Sequence, residues 1–188
     1  MDTVLTACVG PGELAVCVGD LAASPAGAVV NAANAQLAGG GGVDGALHRA
    51  AGPGLLLAGR AWVAANGPLP TGEAMVTPGF GLPAARVIHT VGPVWRGGGH
   101  GEDGLLARAY RNCLLAARAY GVGWVDFPAV SCGVYGFPVP RAAAIAVAEL
   151  ERGLRGGLVK RARMVIFSPG AAGAWALAAR EHLAGPGR

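Results

Sequence analysis

Apolar residues along the chain switch between strand-like runs and helix-like stripes, and the switches mark out the elements. Thr3 to Val9 and Leu14 to Gly19 are β-like runs separated by Gly10-Pro11-Gly12-Glu13, which predicts an antiparallel hairpin. Ala28-Val29-Val30 is a short apolar run ending in polar Asn31, the pattern of a buried parallel strand whose C-terminal end opens into a site. Helical spacing predicts one helix over Val43 to Ala51 and another from Pro53 to Asn66, striped by Leu55, Leu56, Ala58, Gly59, Trp62 and Val63. Glu73 to Thr77 and Arg86 to Val91 read as strands. Asp103 to Tyr120 carries the clearest stripe, made by Leu105, Leu106, Ala109, Tyr110, Cys113 and Ala117. Strand Trp124 to Val130, helix Arg141 to Leu154, strand Ala162 to Ser168 and helix Ala171 to Leu183 complete the order.

Strands alternating with long helices predict a single α/β domain over positions 1–188, a three-layer α/β/α sandwich around a mixed, largely parallel central sheet. In such sheets ligands sit beyond the carboxyl ends of the strands. Two glycine-rich, charge-poor loops fall there, one after Asn31 and one after Val130. The stretch Gly97 to Gly104 precedes the long helix and reads as a plain surface loop.

Composition narrows the function classes. Hydrophobic residues make up 53% of the chain and mean hydropathy is +0.45, yet the longest uncharged run, Leu21 to Val43, holds Pro25, Asn31, Asn34, Gln36 and several glycines. No lipid-facing helix tolerates that mixture, so no membrane association is expected. No basic-then-apolar leader opens the sequence, and the expected location is the cytoplasm. A net charge of +4, with every basic residue but Lys160 an arginine, favours anionic ligands. Arg152, Arg155, Lys160, Arg161 and Arg163 surround one turn without interleaved aromatics, a solvated face rather than a nucleic-acid footprint. Cys8, Cys17, Cys113 and Cys132 show no metal-type spacing to one another or to the histidines and read as free thiols, so no metal and no cofactor are expected.

The first loop runs Asn31-Ala-Ala-Asn34-Ala-Gln-Leu-Ala-Gly39-Gly40-Gly41-Gly42-Val43-Asp44-Gly45. Four successive glycines leave no Cβ to hold a ligand away from the backbone, and the helix starting near Val43 offers its positive end to phosphate. The second loop, Ser131-Cys132-Gly133-Val134-Tyr135-Gly136-Phe137-Pro138, again joins a strand to a helix. Together they suit a diphosphate held from both sides by backbone N–H groups. A dinucleotide fingerprint does not fit, since Gly10-Pro11-Gly12 lacks the third glycine and the helix, and a phosphate-loop lysine is absent.

Gly19-Asp20-Leu21, Val30 to Asn34, Gly39 to Asp44, His48 to Pro53, Thr71 to Ala74, Ile88 to Pro93 and Phe127 to Ser131 together resemble the MacroD-type macrodomains, over nearly the whole chain and in order. The resemblance implies a macrodomain-like fold and an ADP-ribose site. Asp20 would accept a hydrogen bond from the adenine amino group, Leu21 would offer its backbone N–H to the ring, and Phe167 would stack on it. A core aromatic is the alternative for Phe167. The amides of Gly41, Gly42 and Val43 would face the diphosphate, as would those of Ser131, Cys132, Gly133, Val134 and Tyr135, with the Tyr135 ring against the distal ribose. Asn34 would bind ribose hydroxyls and Asp44 would polarise the attacking water, making these two the catalytic candidates. Asp44 also suits a helix N-terminal cap, a role compatible with catalysis. Asn31 would brace the loop. His48 and His89 read as satisfied structural histidines. The sequence departs from the family's usual pattern at Ala22, Gly27 and Cys132, where threonine, aspartate and threonine are more common; a Cys132 nucleophile would need an activating base that nothing nearby in sequence supplies.

The activity this resemblance implies is a hydrolase of ADP-ribosyl esters, deacetylating O-acetyl-ADP-ribose and removing mono-ADP-ribose from Asp and Glu side chains. Expected partners are ADP-ribose, O-acetyl-ADP-ribose and mono-ADP-ribosylated proteins, with ADP-ribosylated nucleic acid left open. The alternative is a non-catalytic ADP-ribose-binding module, against which the acid at Asp44 argues. A zinc-assisted macrodomain is disfavoured because the first loop lacks the Cys/His set.

Overall fold

In the computed structural model, which describes residues 1–185, the N-terminal hairpin forms as expected: β1 (Asp2–Val9) and β2 (Gly12–Val18) pair antiparallel. The expected domain's last three positions, 186–188, lie outside the described residues. The remaining elements are β3 (Ala28–Ala32), α1 (Gly42–Ala51), α2 (Pro53–Asn66), β4 (Ala74–Pro78), β5 (Arg86–Thr90), α3 (Glu102–Ala119), β6 (Trp124–Phe127), α4 (Val139–Arg155), β7 (Arg161–Ile166) and α5 (Pro169–Leu183). The strands form one seven-stranded sheet in the order β1-β2-β7-β6-β3-β5-β4, with β2, β7, β6, β3 and β5 parallel and an antiparallel strand at each edge.

Both faces of the central strands are buried, which explains runs such as Ala28-Val29-Val30 that show no alternation of apolar with polar residues. The period of two instead sorts neighbours into different cores. Ala28, Val30 and Ile88 point to one side with Leu106, Tyr110, Leu150 and Trp175 of α3, α4 and α5, whereas Val29, Val87 and Val165 meet Leu47, Ala51 and Leu55 of α1 and α2 on the other. Each fully buried leucine contributes roughly 1.5–3 kcal/mol. The result is the expected three-layer sandwich.

Differences from the sequence reading sit at element ends. β6 stops at Phe127, not Val130, because Pro128 has no N–H for a ladder and the Val130 N–H turns back onto the Pro128 carbonyl at 2.9 Å. α4 and α5 begin earlier than expected, since Pro140 and Pro169 fit a first helical turn. A 3₁₀ turn over Leu21–Ala23 was not anticipated; the Asp20 carboxylate caps it, accepting from the Ala22 N–H at 2.9 Å. No helix among the described residues is long and apolar enough to cross a membrane.

Candidate functional site

Because β2, β7, β6 and β3 are parallel neighbours, the chain segments leaving their carboxyl ends gather along one rim of the sheet. They enclose a cleft of about 870 Å³, lined by Gly19–Leu21 after β2, Val165–Ser168 at the end of β7, Pro128, Ala129 and Ser131–Tyr135 after β6, and Ala32–Asn34 with Gly40–Asp44 after β3. Every expected binding residue lines this cleft: Asp20, Leu21, Asn34, Gly41, Gly42, Val43, Asp44, Ser131, Cys132, Gly133, Val134, Tyr135 and Phe167. Phe167 is 84% exposed just past the end of β7, which rules out the core-aromatic alternative. Asp20 stands exposed, with one carboxylate oxygen given to the 3₁₀ turn.

The first loop is ordered by its own asparagine. Asn34 Nδ2 donates to the Gly39 carbonyl at 2.8 Å, and Asn34 Oδ1 accepts from the N–H groups of Gln36 and Ala38 at 3.1 and 3.3 Å. Loop bracing, expected of Asn31, is therefore done by Asn34. Asn31 does something else: fully buried on β3, it donates from Nδ2 to Asp44 Oδ1 at 2.7 Å. Asp44 sits in the first turn of α1 but makes no capping hydrogen bond, so the cap reading fails. Its second contact is His48 Nε2, 3.3 Å from the same Oδ1. His48 is one helical turn beyond Asp44 and contacts the candidate base, so the partner that satisfies this histidine belongs to the site; the i,i+4 spacing was the signal.

Those two contacts occupy Oδ1. Oδ2 faces Gly40, where an added Cβ would lie 3.1 Å from Asp44 Oδ2 and 4.0 Å from Asn34 Nδ2. Gly40 thus keeps open a space, about one atom wide, between a carboxylate oxygen and an amide nitrogen. Burial pushes the Asp44 carboxyl above the usual carboxylate range, and the Asn31 amide and His48 offset part of that rise. A base poised higher than an ordinary aspartate accepts a proton from water more readily.

The second loop is held by backbone. Ser131 takes a left-handed φ of 66°, and the Phe137 N–H closes on the Ser131 carbonyl at 3.0 Å. The N–H groups of Gly133, Val134 and Tyr135 have no hydrogen-bond partner among the described residues, nor do those of Gly42 and Val43 across the cleft. Two sets of unspent donors, one at a helix N-terminus, make an anion site without a lysine. Burial pushes the Cys132 thiol up to about 11, so it stays protonated and is no nucleophile at neutral pH.

Supports for this loop escaped the sequence reading. Tyr110, expected as part of an apolar stripe, also donates to the Pro128 carbonyl and accepts from the Val130 N–H, both at 3.2 Å. Gly97 to Gly104 is more than a plain surface loop. Burial alone would raise the Glu102 carboxyl, yet backbone N–H groups, those of His100, Arg96 and Gly98 among them, hold it down to about 2. Just before that anchored stretch stands Trp95, whose backbone N–H donates to the Tyr135 carbonyl at 2.8 Å and whose ring centroid lies 4.7 Å from that of Phe137. Arg49, a residue the sequence reading passed over, lines the cleft from α1 and is exposed. Among the described residues no three His, Cys, Asp or Glu side chains gather where they could share a metal ion.

Known proteins are similar to this chain. A family model described as Macro domain matches residues 30–146. An O-acetyl-ADP-ribose deacetylase of Salmonella newport is 57% identical over 135 residues, covering 72% of this chain and 75% of the relative. A macro domain-containing protein of Methanosarcina mazei is 55% identical over 137 residues, covering 73% and 71%. Among solved structures, the Oceanobacillus iheyensis macrodomain with ADP superposes with a TM-score of 0.89 at 39% identity, covering 96% of this chain and 94% of that one. The Trypanosoma brucei macrodomain in complex with ADP-ribose gives 0.77 at 37%, covering 87% and 68%. The matched span, 30–146, contains both glycine loops and Asp44, and the chain belongs to the Macro domain family.

Proposed function

We propose that the chain binds ADP-ribose along the cleft and hydrolyses ADP-ribosyl esters, deacetylating O-acetyl-ADP-ribose and releasing mono-ADP-ribose from Asp and Glu side chains. The relative named O-acetyl-ADP-ribose deacetylase and the neighbour bound to ADP-ribose support the ligand class. The observation that carries the hydrolase reading is the gap at Gly40, bounded by Asp44 Oδ2 and Asn34 Nδ2. It suits one water, with the carboxylate as the proton acceptor.

In this reading adenine lies between Phe167 and the Asp20–Leu21 turn. The diphosphate takes the free amides of Gly42–Val43 and Gly133–Tyr135, and the distal ribose reaches Asn34, Asp44 and Tyr135. Asp44 Oδ2 takes a proton from the water as its oxygen bonds to the ester carbonyl carbon. Collapse of that adduct breaks the acyl C–O bond, and the ribose oxygen receives the proton. For an Asp or Glu ester the same water has a second target, the anomeric carbon.

The test incubates the protein with O-acetyl-ADP-ribose and, separately, with a mono-ADP-ribosylated protein in ¹⁸O-water. Release of acetate and of ADP-ribose is expected, with the label in the carboxylate product if the carbonyl is attacked and in the ribose if the anomeric carbon is. No turnover of either, alongside tight ADP-ribose binding by calorimetry, would leave a binding module in place of the enzyme.

A further inference from the structure

From Asp44 a line of polar side chains leaves the cleft and runs through the sheet beneath α1. Asn31 on β3 and His89 on β5 are partners in parallel register, and Thr77 follows on β4; all three are buried. Asn31 Nδ2, which donates to Asp44 Oδ1, also lies 3.2 Å from His89 Nδ1, and His89 Nε2 lies 3.0 Å from Thr77 Oγ1.

The donor inventory of these groups fixes the direction of every bond. A carboxylate serving as a base only accepts, so Asn31 must turn its NH₂ and not its carbonyl toward Asp44. That same NH₂ faces Nδ1, so Nδ1 must be the lone-pair nitrogen. A neutral ring then carries its proton on Nε2 and donates it to Thr77 Oγ1. The other tautomer, or an imidazolium, would set N–H against N–H. Burial, helped by the nearby His48, enforces the neutral ring by pushing its pKa down to about 3. Asn31 Oδ1 is buried with no hydrogen-bond partner among the described residues, so the orientation of this amide rests on its Nδ2 contacts alone.

We propose that His89 is a positioning residue: as an Nε2–H imidazole anchored on Thr77, it orients the Asn31 amide, which holds Asp44 Oδ1 and leaves Oδ2 as the oxygen that takes the proton from water. The proposal rests on the hydrolase reading above. Without such an acceptor the second Nδ2 hydrogen is left buried and unpaired, so the amide loses one of its two anchors, its grip on Asp44 Oδ1 loosens, and Oδ2 drifts from the gap at Gly40.

Two measurements test it. Long-range ¹H–¹⁵N spectra of the ligand-free protein should show His89 as the Nε2–H tautomer, unchanged from about pH 5 to about pH 8, the window in which an ordinary histidine titrates. An Nδ1–H tautomer, or a ring that titrates there, overturns the proposal whatever the turnover of the protein. The second measurement compares His89→Leu, which offers no acceptor, with His89→Asn, whose Oδ1 can replace Nδ1. For O-acetyl-ADP-ribose, the leucine variant should lose up to about 100-fold in kcat, the scale for a catalytic group displaced by about 1 Å, while KM and ADP-ribose affinity hold. The asparagine variant should regain most of that loss. Full kcat in His89→Leu, or an equal loss in both variants, overturns the proposal. Should His89→Leu not fold, Thr77→Val asks the same question from the far end: a mixture of tautomers with lower kcat supports the proposal, and a pure Nε2–H signal with full kcat overturns it. If the parent protein itself turns over no ester, the hydrolase reading fails, and the tautomer spectrum still reports separately on the hydrogen-bond line.

Discussion

The loop that leaves β3 is tied down by its own side chains, whereas the loop that leaves β6 is shaped by backbone and braced from outside by Tyr110 and Trp95. Asn34 closes the first loop with three hydrogen bonds, and Asp44 at its end is gripped by Asn31 and His48. The second loop relies on Ser131 at φ 66°, on Gly136 at φ 67° and on the Phe137–Ser131 backbone bond, with Val134 at its tip 98% exposed. Chemistry at a carboxylate needs one oxygen aimed within a fraction of an ångström, which only a buried polar scaffold supplies. Holding a diphosphate needs only a curve of N–H groups. Cys132 can stand where threonine is usual because that curve starts after it: contrary to the expectation for its amide, the Cys132 N–H is spent on the Ala129 carbonyl at 3.2 Å, and its thiol lies 3.5 Å from the Val130 carbonyl.

If the first loop carries the reaction as well as part of the grip, and the second only grips, changes at Asp44 should strike turnover first. Asp44→Asn is expected to lower the hydrolysis rate by about 10²–10⁴-fold, the range for losing a general base, with ADP-ribose affinity changed far less. Turnover by the parent should fall as pH drops through a midpoint above the usual carboxylate range, because burial raises this carboxyl and only its ionised form accepts a proton. Stability has the opposite slope. A carboxyl whose pKa is raised in the folded state contributes stability below its unfolded pKa and loses it as pH rises through the folded one. Denaturation midpoints of Asp44→Asn should therefore gain on the parent between acid and neutral pH. Equal turnover in the two proteins would end the division of labour between the loops.

Gly40→Ala is the next largest and the cleanest separation. Its backbone is not in the left-handed region, so the substitution adds little strain, but the new methyl would sit 3.1 Å from Asp44 Oδ2 where the water is proposed to lie. A loss of roughly 10–100-fold in kcat is expected, a scale set by small misplacements at the reacting centre. An unchanged kcat would move the water elsewhere.

In the second loop the effect should appear in binding and stability instead. Gly136 has open space around it but a φ of 67°, so Gly136→Ala strains the backbone without a clash, at a cost of about 1–2 kcal/mol. ADP-ribose affinity and the denaturation midpoint should fall while kcat for bound substrate holds. A lower kcat with full affinity would reverse the roles assigned to the two loops.

Both loops were legible in the sequence because glycine runs between a strand and a helix have a direct physical reading. α2 was legible to the residue, with Pro53 at its start and Gly67 just past its end. The contact of His48 with Asp44 was open to the i,i+4 rule and was missed in favour of packing. The pairing of Asn31 with His89 was not legible at all. It depends on β3 and β5 being neighbours, although α1, α2 and β4 separate them in the chain, and only the sheet order brings those side chains together. The support of the second loop by Glu102 and Trp95 likewise needs the third dimension, since a glycine-rich stretch before a helix looks the same in sequence whether it is a bystander or a brace.

The smallest effect concerns charge. Neither loop contains a basic residue, so if amides do the gripping, ADP-ribose affinity should depend weakly on salt. Arg49 is the one guanidinium lining the cleft among the described residues, and it stands on α1 on the side of the first loop, exposed. An exposed charge is screened over about 8–10 Å at moderate ionic strength, and pairs of this kind contribute about 0–1 kcal/mol. Arg49→Ala should therefore weaken binding by at most about 1 kcal/mol at low salt and by less at moderate salt, leaving kcat untouched. Calorimetric titrations of parent and variant at two salt concentrations decide the matter. A steep salt dependence in the parent that vanishes in Arg49→Ala would show that a guanidinium on the side of the first loop grips the diphosphate by charge, and the reading in which N–H groups alone hold it on both sides of the cleft would no longer stand.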